Sequence, residues 1–186
     1  VAQSSDQVME DTNADGVRCI VMNPKTGEIL GMAVAPSFDP NDPRTPLSEE
    51  DQATLASLSG HAQLDYLNNM WRNPLIQDTY EPGSTAKLLT TSIVLEEDLV
   101  SKNETFTCTG SINVSGRTLH CWRTGKPHGV ETLAEALGNS CNPVFAELGG
   151  RIGMDRYYKY METFGITQKT GIDFPGEANA ILQDMD

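Results

Sequence analysis

Ser84 and Lys87, three positions apart in Tyr80-Glu81-Pro82-Gly83-Ser84-Thr85-Ala86-Lys87, are the pair whose types and spacing suit nucleophilic chemistry. A serine hydroxyl is inert at neutral pH until a neighbouring base takes its proton, and a lysine serves as that base once its surroundings lower its pKa. Residues at i and i+3 share a helix face, so at a helix start the Lys87 amine can reach the Ser84 hydroxyl. Such a pair supports acyl transfer through a covalent serine intermediate. About one Ser-x-x-Lys match is expected by chance in a chain of this length, so the spacing needs support from context. A second constellation, Ser-x-Asn, occurs at Ser101-Lys102-Asn103, Ser111-Ile112-Asn113 and Ser140-Cys141-Asn142. The third falls between two helix patterns, where a short loop backed by rigid elements holds a hydroxyl and an amide in fixed directions. The first two read as ordinary turn or strand residues.

The elements that must position these groups can be read along the chain. Residues 1 to 11 look like the end of a helix, and Thr12 to Gly16 is a polar break. Val17 to Met22 and Glu28 to Ala35 read as strands joined at Asn23-Pro24-Lys25-Thr26-Gly27. Apolar residues on both faces of this hairpin predict a central place in a sheet covered on two sides. Ser48 with Asp51 caps a short helix, whereas Leu64 to Thr79 shows no clean period. A helix is expected from about Ser84 to Leu99, then extended stretches at Thr105 to Cys108 and Ile112 to Cys121. Thr132 and Glu135 form a capping box, Pro143 opens a helix expected to end at Gly149-Gly150, and Asp155 caps another that closes at Gly165.

The 186 residues are enough for one domain with a real core. A net charge of -13 repels phosphate backbones and anionic headgroups, which argues against a nucleic-acid partner. No run approaches the roughly 18 apolar residues of a membrane span, and the N-terminus lacks a signal peptide's basic region and apolar core. A chain that opens on Val1 instead of a methionine reads as an excised or processed piece. Cys19, Cys108, Cys121 and Cys141 are not spaced as a disulfide scaffold. Cys108, His120, Cys121 and His128 are a conceivable zinc set, but without a C-x-x-C pair or a His-x3-His no metal is expected.

Four segments together resemble the transpeptidase domain of class B penicillin-binding proteins, in that family's order: Val21 to Leu30 (VMNPKTGEIL), Tyr80 to Lys87, Asn139-Ser140-Cys141-Asn142-Pro143-Val144-Phe145, and Thr170-Gly171-Ile172-Asp173-Phe174-Pro175-Gly176-Glu177. Cys121-Trp122 and Cys141 are similar to the sporulation branch of that family. The resemblance covers nearly the whole chain and implies an α+β class: a partial serine β-lactamase/D,D-transpeptidase-like fold of β-hairpin plus helical region, with later sheet strands missing. The family's motifs are S-x-x-K, S-x-N and K-T-G. Lys169-Thr170-Gly171 is not taken as the third, because it follows Asn142 by only 27 positions and continues into a non-catalytic family segment. Residues 1–186 are thus expected to be the N-terminal portion of the domain, stopping before the K-T-G strand.

Carried over residue by residue, the resemblance implies Ser84 as nucleophile on D-Ala-D-Ala stem peptides, Lys87 as base, Ser140 as proton relay to the leaving group, and Asn142 as hydrogen-bond partner of the substrate amide or of the Lys87 side chain. It implies peptidoglycan stem peptides, β-lactams and a glycosyltransferase as partners, no cofactor, and a place on the extracytoplasmic face of the bacterial cell membrane. The 186 residues alone are expected to have little or no penicillin-binding activity and to be inactive as an enzyme, since half of the oxyanion hole comes from the K-T-G strand. A non-catalytic module that binds peptidoglycan or partner proteins and, less favoured, a serine β-lactamase remain as alternatives. Cys121 and Cys141 are expected to form a redox pair whose disulfide switches the site off.

Overall fold

Asn13, in the left-handed region at φ 51°, ends a first helix, α1 (Ala2–Thr12), and the chain then turns into the hairpin of β1 (Val17–Met22) and β2 (Ile29–Ala35). The intervening turn is built by its own side chains. Asn23 Oδ1 accepts the Lys25 N–H at 3.0 Å, and Gly27, at φ 76°, donates its N–H to Asn23 O at 2.8 Å. Pairing is antiparallel, Val17 opposite Ala35 and Ile20 opposite Met32, with a register shift at Val21/Met22. This computed structural model describes residues 1–101 and 103–182. They form two compact units: Val1–Thr79 with Ile172–Ala178, and Tyr80–Gly171 with the chain from Asn179 on.

In the first unit α1 packs on the hairpin and Ala33 and Ala35 are buried. The predicted cover on two sides is not found within this two-stranded sheet, where Ile20, Val21, Met22, Ile29 and Leu30 are exposed. Ser48 caps α2 (Glu49–Ser57) as its spacing predicts, its Oγ accepting the Asp51 N–H at 3.0 Å. The aperiodic stretch beyond Gly60 is nonetheless helical: α3 (His61–Trp71) and the short α4 (Pro74–Gln77). Only Leu67 of α3 is buried, and a helix that buries one side chain has no apolar period to read. Polar contacts hold α3 instead, with Tyr66 Oη donating to Asp51 at 2.6 Å. The Ile172–Ala178 segment returns to α4, where Ala178 N–H donates to Ile76 O at 2.8 Å.

The second unit has its core between helices and short strands. A tight turn at Gly83–Thr85 leads into α5 (Ala86–Glu96). β3 (Thr105–Cys108) pairs with β6 (Gly129–Thr132), a strand with no sequence signal, and β4 (Ser111–Val114) pairs with β5 (Arg117–His120). The loop of the second pair, Ser115-Gly116, has positive φ at both residues, the turn whose twist matches that of its strands. Then come α6 (Leu133–Gly138), α7 (Asn142–Ile152) and α8 (Met154–Thr163). The Thr132/Glu135 capping box forms as predicted, but α7 runs through Gly149-Gly150 to Ile152, which is buried in the core. That packing outweighs the helix-weakening effect of two glycines, roughly 1 kcal/mol each. Ile93, Val94, Ala136, Cys141, Val144 and Leu148 form the centre of this core, all at most 1% exposed.

Candidate active site

Pro82 and Gly83 interrupt the chain, Gly83 at φ 56°, so that Ser84 lies in the tight turn ahead of α5 and Thr85 is the cap residue. The helix expected from Ser84 thus begins at Ala86. Lys87, on its first turn, is 9% exposed and points toward the Ser140–Asn142 loop of the same unit. Its Nζ donates to Ser140 O at 2.7 Å, to Ser140 Oγ at 2.9 Å and to Asn142 Oδ1 at 2.7 Å. All three donors of an ammonium group are therefore matched, and the Phe145 ring lies 5.4 Å below it. Burial pulls the Lys87 pKa below the usual lysine value, while Cys141 and Cys121 act in the opposite direction.

Ser140 Oγ donates onward to Ser84 Oγ at 3.0 Å. The link between Lys87 and Ser84 runs through Ser140, where the i, i+3 spacing alone suggested direct reach. The backbone of Ser140 explains its aim. α6 ends in a Schellman motif, with Ser140 N–H on Leu137 O at 3.0 Å and Cys141 N–H on Ala136 O at 2.9 Å. Ser140 occupies the left-handed position of that motif at φ 51°, where glycine is usual. Cys141 then caps α7, and Asn142 starts it. The Asn142 amide is held at both ends, its Oδ1 by Lys87 and its Nδ2 donating to His120 O at 3.3 Å.

All four residues proposed from the sequence, Ser84, Lys87, Ser140 and Asn142, thus meet in one hydrogen-bonded group. Three neighbours were not singled out as part of it: Phe145 under the ammonium, the His120 carbonyl on the Asn142 amide, and Trp122, whose Nε1 donates to Asn139 O at 2.8 Å. Phe145 follows Asn142 by three positions on α7, so helical spacing could have pointed to it, whereas His120 and Trp122 come from the chain around β5 and no spacing connects them to either motif. Lys169-Thr170-Gly171 lies in irregular chain after α8, not on a strand.

Behind the Ser140–Asn142 loop the structure gathers Cys108, Cys121, His128 and Cys141. Cys141 takes the place that His120 held in the zinc set weighed from the sequence. Cys121 and Cys141, expected as a redox pair, are free buried thiols in this group. Burial pushes the Cys141 thiol up. Burial raises Cys108 as well, but the backbone N–H groups of His128 and Gly110 and the side chains of His128 and Cys141 outweigh it and bring it to about 7.

The chain resembles known proteins over its whole length. It is 43% identical over 169 residues to stage V sporulation protein D of Bacillus subtilis, covering 90% of this chain and 23% of that protein. It is 30% identical over 164 residues to the peptidoglycan D,D-transpeptidase MrdA of Acinetobacter baumannii, covering 87% of this chain and 23% of that one. The chain therefore spans about a quarter of the length of these curated relatives. Among solved structures, penicillin binding protein 3 of Mycobacterium tuberculosis superposes with a TM-score of 0.74 at 32% identity, over 98% of this chain and 36% of that chain. The agreement extends to the mixed helix and strand architecture expected from the sequence. Residues 17–186 also match the family model described as penicillin binding protein transpeptidase domain. A match over that much of the sequence decides the assignment: the chain belongs to the family of penicillin-binding protein transpeptidase domains.

Proposed function

We propose that this chain carries the acyl-transfer centre of a peptidoglycan D,D-transpeptidase, with Ser84 attacking the D-Ala-D-Ala carbonyl of a stem peptide. The observation that carries the reading is the continuous path from Lys87 Nζ through Ser140 Oγ to Ser84 Oγ, at 2.9 and 3.0 Å. Burial lowers the cost of making Lys87 the neutral amine. Once it has lost a proton the two hydroxyls reverse, Ser84 Oγ donating to Ser140 Oγ and Ser140 Oγ to Lys87 Nζ, and the Ser84 proton passes along this path as the Oγ–acyl bond forms. Ser140 then returns a proton to the departing D-alanine amine as the C–N bond breaks. The Ser84 backbone N–H, at the start of a helix, is one donor to the developing oxyanion. Asn142, oriented by Lys87 and the His120 carbonyl, is placed to bond the substrate amide.

The amine of a neighbouring stem peptide resolves the ester and forms the cross-link, while a β-lactam acylates the same serine and stays. Support for the latter comes from the Mycobacterium tuberculosis neighbour, which has been solved complexed with aztreonam and with ampicillin. The substrate places the working protein at the outer face of the cytoplasmic membrane, beside a glycosyltransferase that supplies glycan strands. Among the described residues no helix is long and apolar enough to cross a membrane. Fluorescent-penicillin labelling of the full-length protein, followed by peptide mapping, tests the proposal. One adduct on Ser84 is expected, absent in Ser84→Ala and formed about 10²–10⁴-fold more slowly in Lys87→Ala. Peptidoglycan binding without an adduct would favour the non-catalytic module, and rapid turnover of a chromogenic β-lactam would favour the β-lactamase.

A further inference from the structure

We propose that Cys108, Cys121, His128 and Cys141 bind one zinc ion, and that this ion anchors the Ser140–Asn142 loop from behind. One ligand atom from each of the four residues lies within 4.8 Å of all the others. Zinc at about 2.3 Å from sulfur and about 2.0–2.1 Å from nitrogen sets tetrahedral ligand atoms roughly 3.5–3.8 Å apart. Cys121 Sγ and His128 Nδ1 are already at 3.4 Å, and small side-chain rotations close the rest. Free cysteine is often a plain packing residue, but here three buried thiols surround an imidazole whose side chain is 3% exposed. Glu131 is 3% exposed, and its Oε1, 3.6 Å from the same His128 Nδ1, has no hydrogen-bond partner among the described residues. A carboxylate oxygen buried beside three thiols without a partner is costly unless a positive charge sits close by, and a bound cation would supply it.

The four donors come from separate places: the end of β3, the residue after β5, the residue before β6 and the cap of α7. Three thiolates and an imidazole select a soft ion over magnesium, calcium or manganese. Four protein ligands leave no open position, which makes the site structural. Binding converts three thiols to thiolates with release of three protons and needs no oxidant. Cys141 stands between Ser140 and Asn142, so a bond to its Sγ would hold both the left-handed turn and the start of α7. It is a positioning residue. The site does not depend on what Ser84 does, and its test reads metal and not acylation.

The chain, produced with zinc in the medium and purified under a phosphine reductant without chelator, is expected to contain one zinc by inductively coupled plasma mass spectrometry. Cobalt substituted into the unmutated chain should show thiolate-to-cobalt charge transfer and the visible bands of tetrahedral coordination. Cys108→Ser and His128→Ala should each reduce zinc content several-fold, whereas Cys19→Ser, outside the group, should not change it. Zinc removal should lower the melting temperature and speed amide exchange at Ser140, Cys141 and Asn142. A metal-free chain with all its thiols titratable would overturn the proposal. So would a Cys121–Cys141 disulfide formed in the presence of zinc under the same reductant, an outcome that assigns this pair to redox chemistry.

Discussion

Ser140 combines a strained backbone with a hydroxyl on the proposed proton path, and the two can be separated. A left-handed conformation costs a non-glycine residue roughly 1–2 kcal/mol. Ser140→Gly relieves that strain, leaves the backbone N–H to Leu137 O in place, and removes the bridge between Lys87 and Ser84. The expected outcome is a melting temperature unchanged or raised by about 2–4 °C, together with penicillin acylation of the full-length protein slowed about 10²-fold or more. Thermal unfolding and labelling kinetics on the same preparation check both halves. A parallel loss of stability and activity would mean that the Ser140 side chain is structural.

At the scale of elements, two contacts tie distant segments together. Gly176, at φ 86°, lies against α4 so closely that a Cβ would meet Gln77 Nε2 at 2.5 Å. Gly176→Ala therefore puts a side chain at a positive φ and makes the flexible end of Gln77 swing aside, and it should destabilise the chain by about 1–2 kcal/mol, chiefly through backbone strain, read from its denaturant midpoint. The second contact is Arg151 on α7, which pairs with Glu104 at 2.5 Å and lies 5.2 Å from the Phe106 ring centroid. The Arg151 side chain, with the Ser101 N–H, holds the Glu104 carboxyl below its usual 4.5. A depressed carboxyl contributes stability that is complete above its unfolded pKa and lost as pH falls through the folded one. Stability should thus decline as pH drops below 4.5, and Glu104→Gln should be less stable at neutral pH but show a shallower decline. Denaturant midpoints measured above and below the carboxyl range give the comparison, and equal slopes would show the pair to be inert.

As a whole molecule, the 186-residue chain presents Ile20, Val21, Met22, Ile29 and Leu30 exposed on a two-stranded sheet, a surface prone to edge pairing and self-association. Sedimentation should show concentration-dependent association, weakened by Leu30→Lys; a monodisperse monomer at high concentration would contradict this. Acylation of the same polypeptide should be weak. Neither Lys-Thr-Gly lies on a strand, Lys25-Thr26-Gly27 being in the β1–β2 turn and Lys169-Thr170-Gly171 in irregular chain after α8, so within these residues the proposed oxyanion hole rests on the Ser84 N–H. Loss of one such donor typically costs about 2.7–4 kcal/mol, or 10²–10³ in rate. Labelling of Ser84 at the same rate in this polypeptide and in the full-length protein would refute the expectation.

Local chemistry is legible without the fold. The Ser48 and Thr132 caps, the Asn23–Gly27 turn and the break at Pro82-Gly83 act over a few residues, and each forms where its spacing places it. The two motifs are legible for the same reason, and four segments in a shared order were enough for the family. α3 was not, because its polar contacts leave no apolar period, and neither was β6, whose pairing with β3 is decided across the chain. Only the tertiary structure put Ser140 between Lys87 and Ser84, joined Asn142 to the His120 carbonyl, and exchanged His120 for Cys141 among the thiols. Those outcomes depend on strand register and on a left-handed turn at one serine. A shift of a single residue there would re-aim every side chain involved, and sequence spacing carries no record of that choice.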